Sequence, residues 1–119
     1  MQMKHFIKML NYGILEIRSN DLGFVINGRH LVMSECQSSI NWNIPMRCLG
    51  YVSRTLENLA GKEGLYGKNL VKLPAPEFYL FYVGKAEWKS KTLCLSESFL
   101  AEPNENSLEL VVNLINLNL

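Results

Sequence analysis

The sequence predicts one α/β domain in which a mixed β-sheet, a crossover helix and extra C-terminal strands pack together, and three observations predict it. Residues 20–43 form two strand-like segments around an Asn27-Gly28 pair, which is typical of a hairpin. Residues 44–60 carry apolar side chains at helical spacing. Residues 78–83 are an unbroken, aromatic-rich apolar run, which is typical of a strand buried on both faces.

Composition supports a single domain over residues 1–119, because 48% apolar and 19% charged residues are ordinary for a globular chain. The formal net charge of +1 creates no global attraction to nucleic acid, so DNA binding has to come from a local basic patch. No apolar run suits a signal peptide or a membrane span. Three distant cysteines argue against a disulfide framework and indicate reduced, mostly buried thiols in a cytoplasmic protein.

In chain order, residues 2–11 are expected to form a short helix and residues 14–18 a short edge strand. After the hairpin, Asn43 is a plausible N-cap, Pro45 fits the first turn of a helix, and Gly61 is expected to end that helix near residue 60. The helix positions expected to bury against the sheet are Met46, Leu49, Val52, Leu56 and Leu59.

The second half alternates loops and strands. Residues 62–72 are a basic, glycine-punctuated loop, and residues 85–91, which include Trp88, are expected to be a solvated connection. Residues 92–96 predict a short strand. Residues 108–119 predict a longer strand with a bulge where the apolar alternation shifts phase. An uncovered apolar strand invites edge pairing, so a homodimer is one expected assembly.

The chemistry concentrates in the hairpin, where Asp21 opens the first strand and Glu35 and Gln37 end the second. Side-chain alternation places Glu35 and Gln37 on one face. Mg²⁺ is held by one or two carboxylates, with water and substrate phosphate as the other ligands, so this set predicts a divalent-cation site. The alternative is a pair of solvated charges at strand ends.

Hairpin register decides between these readings. A two-residue loop pairs Ile26 with Arg29 and separates Asp21 from Glu35, and the hydrophobic pattern favours this register. A three-residue loop pairs Ile26 with His30 instead. That second register places Asp21 opposite Glu35, and we adopt it because the cation site requires it or a bulge.

Three ordered segments carry a family resemblance: DLGF at 21–24, ECQSSIN at 35–41 and IPMR at 44–47. They resemble the core of the recombination-promoting nucleases, transposase-like members of the PD-(D/E)XK nuclease class. Residues 73–79, 83–85, 92–96 and 108–110 are similar to the downstream block of that family. The resemblance runs from about residue 21 to the C-terminus. Family members carry more chain at both ends, so this chain is expected to be truncated relative to them.

The resemblance implies a restriction-endonuclease-like core and a bacterial DNA endonuclease, dependent on Mg²⁺ or Mn²⁺ and linked to DNA recombination or transposition. It implies Asp21 and Glu35 as metal ligands, with Gln37 completing the catalytic set. Gln37 stands where the wider class usually has lysine, and an amide can only orient by hydrogen bonding. The metal must then carry more of the charge stabilisation. The alternative is a catalytically inactive remnant acting as a DNA-binding or oligomerisation module.

A basic stripe on the predicted helix is the candidate DNA-binding surface. Its expected phosphate contacts are Arg47 and Arg54, to which the following loop adds Lys68. A solvated helix face is the alternative, especially for Arg54. Trp42, just before the helix, either stacks on a base or caps the core.

Overall fold

The computed structural model describes residues 28–117 in full and the backbone of residues 14–16 and 23–26. The predicted helix over residues 2–11 lies outside the described residues. The helix α1 is Ile44–Leu65, and a 3₁₀ turn covers Leu95–Ser98. The strands are β1 Ile14–Glu16, β2 Gly23–Ile26, β3 His30–Gln37, β4 Ala75–Tyr82, β5 Thr92–Cys94 and β6 Val111–Asn116.

Four of these strands form a mixed, mostly parallel sheet in the order β3, β4, β6, β5. The β3–β4 and β4–β6 pairs are parallel, and β5 is antiparallel to β6. A parallel pair needs a crossover of a dozen residues or more, and α1 supplies it between β3 and β4. The strands β2 and β1 extend the sheet by antiparallel pairing beyond β3. The predicted α/β class, crossover helix and added C-terminal strands are confirmed.

The β2–β3 register differs from both registers considered from the sequence. Ile26 pairs with Leu31, one residue beyond the register that we adopted for a cation site. Gly28 has a φ of 90°, a left-handed conformation that glycine adopts without strain. The bend is therefore centred on Gly28 and Arg29, one residue later than expected. The adopted register is wrong for the described part of the hairpin.

Helix α1 begins after Asn43 with Pro45 in its first turn, and Gly61 interrupts it with φ 72° and ψ 159°. The predicted start of the helix and its interruption at Gly61 are confirmed, but Asn43 makes no side-chain capping hydrogen bond and the helix continues to Leu65. The predicted buried face is partly wrong, because Met46 and Leu59 are 56% and 46% exposed. Each residue turns the helix by about 100°, so Met46 points away from the sheet-facing row. That row consists of Ile44, Cys48 and Val52.

The core lies between α1 and one face of the sheet. Its strand residues are Leu31, Met33, Phe78, Leu80, Tyr82, Val112 and Leu114, joined by Trp88, Leu93 and Leu95. β6 lies between β4 and β5, and its Val112 is fully buried. The expectation of an uncovered C-terminal edge strand is therefore wrong, because β5 pairs with the free side of β6. The homodimer stays a prediction without this support.

No helix in the described part of the chain combines the length and apolarity needed to cross a membrane.

Candidate functional site

The candidate site lies at the carboxyl ends of β3 and β4, where α1 begins. Parallel strands bring their carboxyl ends to one edge, and open α/β sheets commonly bind ligands there. The Val83 N–H donates to the carbonyl of Gln37 at 2.9 Å, which holds the two strand ends side by side. A Cβ on Gly84 would lie 2.3 Å from the Ser38 carbonyl oxygen. Only glycine therefore allows this close approach of the two strand exits.

Glu35 is the centre of the site and is only 8% exposed. One carboxylate oxygen, Oε1, lies 2.8 Å from Arg47 Nη2 and accepts a hydrogen bond from Gln37 Nε2 at 2.5 Å. The other oxygen, Oε2, is buried and has no hydrogen-bond partner. Buried polar atoms in native proteins nearly always have a partner, so this oxygen is an acceptor available to a ligand or an ordered water.

Local structure explains how these three side chains meet. Glu35 and Gln37 are two residues apart on β3, so strand alternation projects both toward the helix-covered face. The Arg47 N–H donates to the Asn43 carbonyl at 3.2 Å, which places Arg47 in the first turn of α1. The helix start thus brings a guanidinium to the strand end. The sequence placed Arg47 near this edge but did not predict its direct ion pair with Glu35.

The second predicted metal ligand, Asp21, lies outside the described residues. The described residues contain no cluster of three or more His, Cys, Asp or Glu side chains able to hold a metal ion. The register that we adopted to bring Asp21 to Glu35 is not the one seen. The unpartnered Oε2 of Glu35 fits a hard cation, which accepts one or two carboxylates with water and phosphate. The approach of Asp21 stays a prediction.

Cys48 lies one turn into α1, in the buried row beside the site. Burial raises the pKa of its thiol to about 12, the negative charge of Glu35 adds to this, and Arg47 opposes it. The thiol therefore stays protonated at neutral pH, and a protonated thiol is a poor nucleophile. The expectation that the cysteines are mostly buried is wrong for Cys36, which is exposed.

The other predicted DNA contacts lie farther from Glu35. Arg54 is exposed and its guanidinium carbon lies 5.1 Å from the centre of the Tyr51 ring, two turns along α1 from Arg47. Lys68 is exposed in the loop after α1. The helix between its first turn and Gly61 is about 25 Å long at 1.5 Å per residue. Lys68 is therefore at the far end of α1 and is not brought together with the other site residues.

Three aromatic side chains that contact one another beside the site were not predicted from the sequence. Trp88, expected in a solvated connection, is 3% exposed. Its ring meets the Tyr82 and Trp42 rings edge to face, with centroid distances of 5.1 and 5.4 Å. The Tyr82 hydroxyl donates to the Ala86 carbonyl at 2.6 Å and folds the loop back. The sequence signal for the burial of Trp88 was a single tryptophan within a lysine-rich segment.

Comparisons with protein-family models, with curated proteins and with solved structures found nothing that matches this chain. The fold defines an α/β protein with a half-satisfied buried carboxylate at the carboxyl edge of its sheet. The resemblance to recombination-promoting nucleases stays a prediction.

Proposed function

We propose that the protein is a Mg²⁺-dependent DNA endonuclease with a restriction-endonuclease-like core, acting in DNA recombination or transposition. The observation that carries this proposal is the unpartnered Oε2 of Glu35, buried where the carboxyl ends of two parallel strands meet the start of a helix. This position suits a metal ligand, because a carboxylate with free lone pairs is already held inside the fold. Manganese is the alternative ion.

Glu35 and Asp21 would hold the cation, which supplies water activation and charge neutralisation at a phosphodiester. Gln37 donates to Oε1 of Glu35 and so fixes the carboxylate orientation. That leaves Oε2 as the oxygen for a ligand. In this role Gln37 is a positioning residue that keeps the reactive geometry of Glu35.

Arg47 supplies the positive charge that Gln37 lacks. Its side chain is 36% exposed and contacts Glu35 through Nη2. A guanidinium carries five N–H donors in a rigid fork, so further donors remain for a phosphate oxygen. Arg54 lies on the same helix and extends the contact surface along the DNA backbone. Since the net charge is only +1, binding rests on these few contacts and is modest and salt-sensitive.

Cleavage of supercoiled plasmid tests the proposal. The parent chain is expected to convert plasmid to nicked or linear form with Mg²⁺ or Mn²⁺ and not with EDTA. Glu35→Gln and Asp21→Asn are expected to lower the rate at least about a hundredfold, since each removes an anionic ligand of the cation that stabilises the transition state. Glu105→Gln is the matched control, because Glu105 is an exposed loop carboxylate. It is expected to cut like the parent.

Circular dichroism confirms that each chain is folded before its activity is compared. A folded parent that cuts with neither metal would overturn the nuclease, as would a Glu35→Gln chain that cuts at the parent rate. Loss of activity in Glu105→Gln as well would point to a nonspecific effect of charge.

The second candidate is a DNA-binding module without catalysis, and the Arg47–Glu35 ion pair favours it. The pair neutralises the carboxylate without a metal ion. Thermal unfolding separates the two functions. A metal-binding protein is stabilised by Mg²⁺ or Mn²⁺ as the logarithm of the ion concentration above Kd, and Glu35→Gln abolishes the rise in Tm. A parent whose Tm is unchanged by either ion while it still binds DNA would favour the module.

A further inference from the structure

We propose that the cleft between Trp42 and the β5–3₁₀ segment binds an unpaired nucleobase next to the phosphate held at Glu35 and Arg47. This inference rests on the proposed function, since DNA supplies the base. It adds a substrate class: duplexes with single-stranded or extruded nucleotides beside the cutting site.

Trp42 has the character of a stacking platform. It is 57% exposed, although tryptophan rings are usually well buried. Its ring is nevertheless held in place, because its contact with Trp88 is edge to face with centroids 5.4 Å apart. Trp88 is itself 3% exposed and packed on Tyr82. A rigid, exposed indole offers a base a stacking surface at little cost in side-chain entropy.

The cleft beside this ring has a size suited to a small planar ligand. Its volume is about 370 Å³, near the lower end of the range for small-molecule pockets, roughly 300–1,000 Å³. The residues that line it are Trp42, Asn43, Leu93, Cys94, Glu97 and Ser98. One aromatic wall, one aliphatic side chain and several polar groups match the mixed surface of a base.

Charge indicates which part of a nucleotide the cleft accepts. Glu97 lies in the wall, and its Oε1 accepts the Cys94 N–H at 3.1 Å. A carboxylate repels the phosphate backbone and accepts hydrogen bonds from amino groups on bases. The basic residue Arg47 is one turn into α1 from Asn43. Phosphate and base thus have separate complementary surfaces at the same helix start.

The cleft is connected to the candidate metal site through neighbouring side chains. Gln37 pairs in register with Tyr82 on the adjacent strand, so both side chains are on the same face of the sheet. Tyr82 contacts Trp88, and Trp88 contacts Trp42. With strands about 4.8 Å apart, the path from Gln37 to the Trp42 ring is about 15 Å. This path is an upper limit on the direct distance, so a single strand of a few nucleotides reaches from one site to the other.

Fluorescence anisotropy with labelled duplexes tests the inference in EDTA, where metal-dependent cleavage is absent. The probes are a blunt duplex and the same duplex with a three-nucleotide cytosine overhang, whose amino groups can donate to Glu97. The overhang is expected to bind the parent at least about fivefold more tightly than the blunt duplex. Trp42→Ala is expected to remove this preference, and Trp42→Phe to keep most of it because phenylalanine still stacks.

Tyr66→Ala is the matched control, since Tyr66 is an 82% exposed aromatic residue at the far end of α1. It is expected to leave the overhang preference unchanged. Equal affinity for both duplexes, or no affinity for either, would overturn the inference. So would a Trp42→Phe chain as weak as Trp42→Ala, or an equal loss in Tyr66→Ala.

The plasmid assay distinguishes failure of the base site from failure of the proposed nuclease function. A parent that cuts plasmid with Mg²⁺ but shows no overhang preference contradicts the base site alone. A parent that fails to cut but shows a Trp42-dependent overhang preference contradicts the nuclease and supports the base site.

Discussion

Two glutamates, Glu35 near the carboxyl end of β3 and Glu109 just before β6, differ in how their carboxylate oxygens are hydrogen-bonded. Glu109 is exposed, and its Oε1 accepts the N–H groups of Ser96 at 3.0 Å and Leu110 at 2.9 Å. Glu35 is buried, and only one of its two oxygens has partners. Glu109 therefore ties the 3₁₀ turn to the segment just before β6, whereas Glu35 keeps an oxygen available inside the fold.

The difference shows how to distinguish a carboxylate that stabilises the fold from one that can bind a metal ion. Backbone donors satisfy Glu109, and the Ser96 side chain followed by the Leu110 N–H lowers the pKa of its carboxyl. Such bonds stabilise the folded state. A buried oxygen without a hydrogen-bond partner costs free energy on folding, and at Glu35 this oxygen is an acceptor available to a ligand. Four predictions test this contrast.

The largest stability effect is expected from Arg47→Ala, which leaves Glu35 buried without its cationic partner. Because Arg47 is about one-third exposed, the expected loss in free energy of unfolding is about 2 kcal/mol, within the range for hydrogen bonds to charged groups. Urea unfolding measures it. Arg54→Ala is the control, and loss of its exposed contact with Tyr51 is expected to cost less than about 1 kcal/mol. Equal losses in free energy of unfolding would contradict the idea that the buried carboxylate of Glu35 depends on Arg47.

A loss of comparable size is expected where the strand exits approach beside Glu35. In Gly84→Ala the added Cβ would lie 2.3 Å from the Ser38 carbonyl oxygen and 2.5 Å from the Tyr82 ring. Such overpacking costs about 1–3 kcal/mol. In the control Gly50→Ala, the Cβ meets only Arg54 Nη1 at 3.7 Å. That helix position is expected to gain up to about 1 kcal/mol. Thermal unfolding of both chains checks the opposite signs.

The third prediction concerns pH and the satisfied glutamate. The folded-state pKa of Glu109 lies below its ordinary value of 4.5, so the unfolded state binds more protons between the two values. The stabilisation is present above pH 4.5 and is lost as the pH falls through the folded-state pKa. Tm measured from pH 7 down to pH 3 is expected to fall less for Glu109→Gln than for the parent. Parallel curves would show that these hydrogen bonds do not favour the charged form.

The smallest effect concerns thiol reactivity and leaves the fold unchanged. The pKa of Cys48 is raised to about 12 by burial, while Cys36 is exposed. At pH 8, iodoacetamide is expected to label Cys36 at least about a hundredfold faster than Cys48. Mass spectrometry of the native protein measures both rates, and unfolding in urea is expected to equalise them. Similar rates in the native protein would show that the helix start next to Glu35 opens readily.

Local patterns predicted several parts of the fold and site correctly. Gly61 ends the regular helix because its φ of 72° is open to glycine and disfavoured for other residues. The aromatic run in β4 is buried as its composition indicated, with Phe78 and Tyr82 both in the core. Alternation alone placed Glu35 and Gln37 on one face. Each of these features depends on a few consecutive residues.

Features that depend on distant segments were predicted less well. Nothing in the alternation of β6 indicated that it inserts between β4 and β5, because strand order is set by long-range pairing. Met46 has helical spacing and is still exposed, since the sheet covers only one side of α1. The partner of Ile26 also moved by one residue, from His30 to Leu31, which changed the register on which the Asp21–Glu35 hypothesis was based.

By itself, the sequence determined the α/β class, the start of the crossover helix with its break at Gly61, and the polar strand end at Glu35. These follow from side-chain periodicity and backbone preference, which act over a few residues. The tertiary structure alone decided the strand order, the burial of Trp88 beneath Trp42 and the ion pair that leaves Glu35 Oε2 without a partner. Contacts between segments far apart in the chain form only when the whole core packs, so local pattern cannot specify them.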